Sequence, residues 1–157
     1  MLTLFGRPVW YDPPKLLSLS LDGEDTSQQI FDIYSLSHVT HGILFYFILR
    51  AFRVRPATGL YLSILGSLLF EIFENTDFII QKYRKTYANY KGDSVMNIVG
   101  DLLCVVVGYL FSQTYPVASV LFVLLTEIIL YPYKASLLQL SVCRLVPLCY
   151  SRTSSSS

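Results

Sequence analysis

The chain has 157 residues, 53% of them hydrophobic and only 15% charged, with a formal net charge of +1 and a mean hydropathy of +0.49. Charged residues ordinarily supply about 25% of a soluble domain, so the composition points to a membrane protein. The near-neutral balance excludes the basic footprint of a nucleic-acid binder. Cys104, Cys143 and Cys149 show no Cys-x-x-Cys spacing and support neither a zinc knuckle nor a disulfide framework.

Residues 1–34 carry Asp12, Asp22, Glu24, Asp25 and Asp32 with Pro13-Pro14, and read as an extended N-terminal arm. Met1–Pro8 is too short for the apolar core of a signal peptide, so none is expected. A first helix is predicted at Ser35–Phe52, its opening half holding Ser37, His38, Thr40 and His41. Pro56–Gln81 contains no Lys or Arg and is framed by Arg50, Arg53 and Arg55 before it and Lys82, Arg84 and Lys85 after it. It exceeds the roughly 20 residues that cross a hydrocarbon core and predicts a helix over Ala57–Ile80. Gly92–Tyr133 is likewise free of bases and breaks at Ser112-Gln113-Thr114-Tyr115-Pro116, where a polar run and a proline predict a tight turn. It divides into antiparallel helices at Ser94–Ser112 and Val117–Tyr131.

Ala135–Cys149 is apolar but interrupted by Arg144 and Pro147, which predicts a half-span or a surface-lying helix. The Ser-rich end is a disordered tail. The expected architecture is all-α: an integral, multi-pass membrane bundle of four transmembrane helices over 35–150, with the arm before it and the tail at 151–157.

Glu71, Glu74, Asp77, Asp93, Asp101 and Glu127 lie within or at the ends of the predicted helices, and no base shares those segments. An ionised acid facing lipid at mid-bilayer costs roughly 2.5–3.5 kcal/mol. Six would rival the whole stability of a domain, about 5–15 kcal/mol, so these acids are expected to face a shared interior. Helical spacing agrees. Glu71, Glu74 and Asn75 share one face, Asp93, Asn97 and Asp101 repeat at i, i+4, i+8, and His38 and His41 stand at i, i+3. With up-and-down connectivity, His38/His41, Glu74/Asn75/Asp77, Asp93/Ser94/Asn97 and Glu127/Lys134 all reach one end of the bundle, with Glu71 and Asp101 deeper.

Acids in surplus at low dielectric share protons, bind a metal or hold a cationic ligand. The His-x-x-His and Glu-x-x-Glu pairs and the Asp93-Asn97-Asp101 row offer imidazole nitrogen and carboxylate oxygen, a donor set suited to a divalent metal such as Zn, Mn or Fe. In that reading His38, His41, Glu74 and Asp93 are the ligands and Glu71 or Asp101 the acid/base, while Asn75, Asp77 and Asn97 complete the polar cluster. The metal would activate water toward a phosphoryl or acyl group.

Several polar blocks occur in order: Thr26-Ser27-Gln28, Asp32-Ile33-Tyr34-Ser35-Leu36-Ser37-His38-Val39-Thr40-His41-Gly42, Glu71-Ile72-Phe73-Glu74-Asn75-Thr76-Asp77-Phe78-Ile79-Ile80, Tyr90-Lys91-Gly92-Asp93-Ser94-Val95-Met96-Asn97 and Asp101. Over about residues 6 to 147 the chain resembles a bacterial family of uncharacterised multi-pass membrane proteins, domain of unknown function two-five-eight-five. The resemblance implies an integral membrane protein and no established activity. Family members carry one more hydrophobic helix before the Gly6-Arg7 position, a Cys-x-Cys-Gly element at Trp10-Tyr11-Asp12, a His at Gln29 and an Arg-Asp-Asn run near Lys134-Ala135-Ser136.

Counting bases, the positive-inside rule puts the polar end inside, whereas the family's leading helix, with a cytoplasmic terminus, puts it outside. Three functions compete: a metal-dependent membrane enzyme on a lipid or lipid-linked headgroup; a small ion- or proton-coupled transporter in which Glu71 and Asp101 titrate; and a non-catalytic subunit whose cluster holds helices together beside a membrane protein partner. The lipid bilayer is the common partner, and nucleic acid is not one.

Overall fold

The computed structural model describes residues 6–10, 13–19, 27–83 and 91–131. The protein is all-α, with helices α1 (Ser35–Ala51), α2 (Pro56–Glu74), α3 (Asp77–Tyr83), α4 (Val95–Thr114) and α5 (Pro116–Leu130). Among the described residues the one sheet-like pairing is a bridge between Leu17 and Phe31. The predicted segment Ala135–Cys149, the tail and residues 84–90 of the basic loop lie outside the described residues.

Local chemistry sets the helix ends. Before α1, Asp32 and Ser35 form a reciprocal pair: the Ser35 N–H donates to Asp32 Oδ1 at 3.1 Å and the Asp32 N–H donates to Ser35 Oγ at 3.0 Å. That is the logic of a capping box, which satisfies backbone donors that have no intrahelical acceptor. Arg55 is extended because a proline follows, and Pro56 at the first position of α2 has no N–H to leave unsatisfied. Ser94 caps α4, its Oγ accepting from the Asn97 N–H at 3.1 Å. The N–H groups of Ser94, Val95 and Met96 donate to the carbonyls of Ser27, Pro8 and Val9. The N-terminal segment is thus tied to the start of α4.

Two predicted boundaries shift. The helix expected over Ala57–Ile80 is two helices, broken after Glu74, because the Asn75 side chain turns to Asp93 instead of continuing the helical face. The turn expected over Ser112–Pro116 contracts to Tyr115, since α4 runs through Thr114 and Pro116 opens α5.

Helices α1 and α4 run side by side in the same direction, with Ser35 facing Asp101 near their starts and the Tyr46 and Tyr109 rings 5.4 Å apart further along. Their approach depends on two glycines. A Cβ at Gly42 would overlap the Val105 carbonyl, and one at Gly108 would overlap the Val39 carbonyl. Small residues allow such backbone contact between helices, which substitutes dispersion for hydrophobic collapse. Helix α2 runs opposite to both, its start held by the Tyr109 hydroxyl donating to the Pro56 carbonyl at 2.9 Å and its end by Asn75 at Asp93.

Ile43, Ile98, Val105, Tyr109 and Leu130 form a buried apolar core, and polar side chains are buried alongside them while many large apolar ones are exposed. Glu71 and Asn75 are 1% and 0% exposed, and Ser63, Ser112 and Ser119 are fully buried, while Leu69 and Ile128 are 59% and 71% exposed. α2 and α4 are long and apolar enough to cross a membrane. α5 is a shorter apolar helix, so two of the four predicted spans reach spanning length by themselves.

Candidate metal centre

Three helices converge on His38. Its Nδ1 lies 3.5 Å from Glu71 Oε1 on α2 and its Nε2 lies 3.7 Å from Asp101 Oδ2 on α4. All three residues are buried, and one donor atom from each falls within 4.8 Å of the others. The spacing follows from the packing above: Gly42 and Gly108 bring α1 against α4, and the Asn75–Asp93 junction closes the end of α2 onto the start of α4.

Asp101 is oriented from behind. Ser35 Oγ donates to Asp101 Oδ1 at 3.3 Å, leaving Oδ2 toward the imidazole. The same Ser35 Oγ accepts from the Asp32 N–H, so a polar chain runs from the N-terminal segment to Asp101. Burial, and after it the charge of Asp93, pushes the Asp32 carboxyl up from 3.8 to about 6, against the N–H groups of Tyr34, Ser35 and Ser27 that favour its ionised form.

The other sequence-predicted residues surround this triad. His41 is half-buried, its ring edge-on to His38 at 5.5 Å and to Phe70 at 6.0 Å. Glu74 is buried one turn beyond Glu71 and outside the three-residue group. Asp93 accepts from Asn75 Nδ2 at 2.7 Å while its N–H donates to Asn75 Oδ1 at 2.8 Å. Asn97 donates to the Gln29 carbonyl at 3.0 Å. Asp77 does not turn inward: its side chain is 89% exposed and lies 3.8 Å from Arg7 Nη2. The break at Asn75 puts Asp77 in the first turn of a separate helix, where an acid is favoured, and its rotational phase no longer follows Glu71.

The structure therefore joins His38, from the expected ligand set, to the two carboxylates assigned to acid/base work. Sequence reasoning missed the supporting residues. Ser35 and Asp32 were detectable from the capping-box spacing Asp-x-x-Ser. Gln28, whose Nε2 donates to the Gly92 carbonyl at 2.6 Å, and Arg7, which donates to the carbonyls of Lys91 and Asn75, gave no local signal because their partners are distant in the chain.

The donor set fits a divalent cation of the zinc, manganese or iron class: one imidazole nitrogen and two carboxylate oxygens. Five carboxylates (Asp32, Glu71, Glu74, Asp93 and Asp101) are no more than 9% exposed, whereas the basic groups described beside them are the half-buried Arg7 and the buried His38. A cation would offset that surplus. Only one imidazole nitrogen can bind it, so the carboxylate that faces the other nitrogen must turn to reach the same cation.

A family model described as "Protein of unknown function (DUF2585)" matches residues 2–149. Among curated relatives, a UPF0314 protein of Sphingopyxis alaskensis is 43% identical over 119 residues, 70% of this chain and 62% of the relative. A UPF0314 protein of Paracoccus denitrificans is 42% identical over 105 residues, 64% of this chain and 54% of the relative. One from Brucella anthropi is 38% identical over 106 residues, 65% of this chain and 54% of the relative. The chain spans about half the length of the curated relatives it matches. No solved structure matches it. The model match covers nearly the whole chain, and the chain belongs to the family described as protein of unknown function (DUF2585).

Proposed function

We propose that this chain is a multi-pass integral membrane protein whose α1, α2 and α4 build a divalent-metal centre on His38, Glu71 and Asp101, acting on a lipid or lipid-linked headgroup at the membrane face. The observation that carries the metal reading is the convergence of three buried donor atoms within 4.8 Å. In a tetrahedral zinc site with bonds of about 2.0–2.2 Å, donors stand roughly 3.5 Å apart, so binding requires the triad to close by about an ångström. The membrane reading is supported by the many exposed large apolar side chains and by the spanning length of α2 and α4. In a four-span arrangement α1, with 17 residues, covers about 25 Å, and α5 supplies the fourth span.

A metal held there supplies an activated water and polarises a phosphoryl or acyl oxygen. The protein's own groups would then divide the work. His38 and the carboxylates hold the cation, Ser35 fixes the orientation of Asp101, and the Asn75–Asp93 junction keeps α2 and α4 at constant separation. Asp93, His41 and Glu74 lie around the centre as candidates for substrate contact and proton transfer.

The test is metal content by inductively coupled plasma mass spectrometry on detergent-purified protein, beside His38→Ala, Glu71→Gln and Asp101→Asn. About one equivalent in the wild type, lost in all three variants, is the expected result. Well-folded protein without metal, or equal metal in every variant, overturns the reading. One observation favours a second reading: the imidazole faces a carboxylate on each side, the arrangement of a proton-sharing network in a transporter. It predicts metal-free protein and an ion flux abolished by Glu71→Gln.

A further inference from the structure

The end of the bundle remote from the triad carries the opposite charge. Arg50 in the last turn of α1 and Arg53 and Arg55 in the short connection to α2 are all exposed. Among the described residues α1 holds no acid, and the acids of α2, α4 and α5 (Glu71, Glu74, Asp101 and Glu127) all lie toward the other end. Along α2, Glu71 stands about 24 Å from Arg55 at 1.5 Å per residue. At such separations the acids of these helices form no ion pair with the three guanidinium groups.

The connection is also fixed in shape. The Arg53 N–H donates to the Arg50 carbonyl at 2.9 Å and the Val54 N–H to the Leu49 carbonyl at 2.9 Å, while Tyr109 anchors the next residue but one, Pro56. Arg53 adopts a φ of +58°, a left-handed conformation that glycine takes with less strain. A guanidinium thus stands where the backbone alone would favour glycine. Beside the arginines, Ile48, Phe52 and Tyr61 are 52%, 77% and 66% exposed. The patch therefore joins three phosphate-binding groups to an apolar and aromatic surface.

We propose that Arg50, Arg53 and Arg55 form a binding site for the phosphate of an anionic phospholipid, whose acyl chains lie against Ile48, Phe52 and Tyr61. Guanidinium groups pair phosphate oxygens through parallel hydrogen bonds, and the adjoining apolar side chains select a lipid-borne phosphate over a soluble one. The site rests on the membrane reading above but not on the metal. Each basic residue near an anionic surface contributes about fivefold in affinity, so the three together contribute roughly 100-fold.

Native mass spectrometry of the detergent-purified full chain, titrated with phosphatidylglycerol or phosphatidylcholine, tests the site. The wild type is expected to retain phosphatidylglycerol preferentially. The triple variant R50Q/R53Q/R55Q should lose that preference, and K15Q/K91Q, which removes two exposed bases from the opposite end, should keep it. No preference in the wild type, a preference surviving in the triple variant, or equal loss in both variants overturns the proposal. So does competition by inorganic phosphate, which would mark a site for a soluble anion. Recovery of the chain from cells without detergent would defeat the membrane reading itself; a chain that requires detergent yet shows no lipid preference defeats only this inference.

Discussion

Asn75→Ala removes the junction between α2 and α4. Three hydrogen bonds go with it: Nδ2 to Asp93 Oδ2 at 2.7 Å, Nδ2 to the Glu71 carbonyl at 3.0 Å, and the Asp93 N–H to Oδ1 at 2.8 Å. Both Asn75 and Asp93 are buried, so the Asp93 carboxylate and N–H lose partners that water does not readily replace. Two neutral bonds at about 1 kcal/mol each and one to a carboxylate at about 2 kcal/mol give a loss of about 4 kcal/mol. Hydrogen bonds between helices within a bilayer average only about 0.6 kcal/mol, because the unfolded chain finds partners in the membrane too, and on that scale the loss is about 2 kcal/mol. The larger figure applies here, since the junction lies at the helix ends, where the unfolded chain is hydrated. Denaturant titration in detergent, followed by circular dichroism, should show a loss of about 4 kcal/mol. Thr76→Ala, whose hydroxyl is exposed and bonds only within its own turn, should change stability by less than about 0.5 kcal/mol. An Asn75→Ala variant as stable as the Thr76→Ala control would refute the junction.

Other consequences are equally open to measurement. The Asp32 carboxyl, raised from 3.8 unfolded to about 6 folded, is held more tightly protonated by the native state; stability is therefore greatest below pH 3.8 on this account and falls by about 3 kcal/mol as pH rises through 6. Asp32→Asn keeps the oxygen that accepts from Tyr34 and Ser35, and comparing its unfolding free energy with the wild type between pH 4 and pH 7 should show that slope reduced; an unchanged slope contradicts the assignment. Gly42→Ala and Gly108→Ala place a methyl group against a facing carbonyl, and each should cost at least about 1–3 kcal/mol in the same titration, whereas Gly66→Ala, whose Cβ meets only the Phe45 ring at 3.5 Å, should be tolerated. Chelator treatment should lower the melting temperature of the wild type and leave that of His38→Ala unchanged, because a ligand bound only to the native state stabilises it by mass action.

The helices were legible because charge and hydropathy alone mark them: bases frame Pro56–Gln81, and Pro116 announces α5. What the pattern could not carry was the phase of Asp77. Continuing a helix through Asn75 puts Asp77 on the Glu74 side, and only the long-range bond from Asn75 to Asp93 reveals the break. The shared end of the polar residues follows from connectivity, but which of them meet depends on helix rotation. That rotation is set by Gly42 and Gly108, whose role appears only once a partner backbone lies against them. His38 and His41 look equivalent in the sequence, yet one faces two carboxylates and the other an aromatic ring. Ser35 was hidden in plain composition, since serine in an apolar helix is common and its bond to Asp101 joins residues far apart in the chain.

The most direct measurement of the central claim is metal-edge X-ray absorption on the purified chain loaded with zinc. The wild type should show a shell of nitrogen and oxygen donors at about 2.0–2.2 Å that includes one imidazole, and that ordered shell should be absent from His38→Ala and Asp101→Asn. A metal shell unchanged by both substitutions would contradict it.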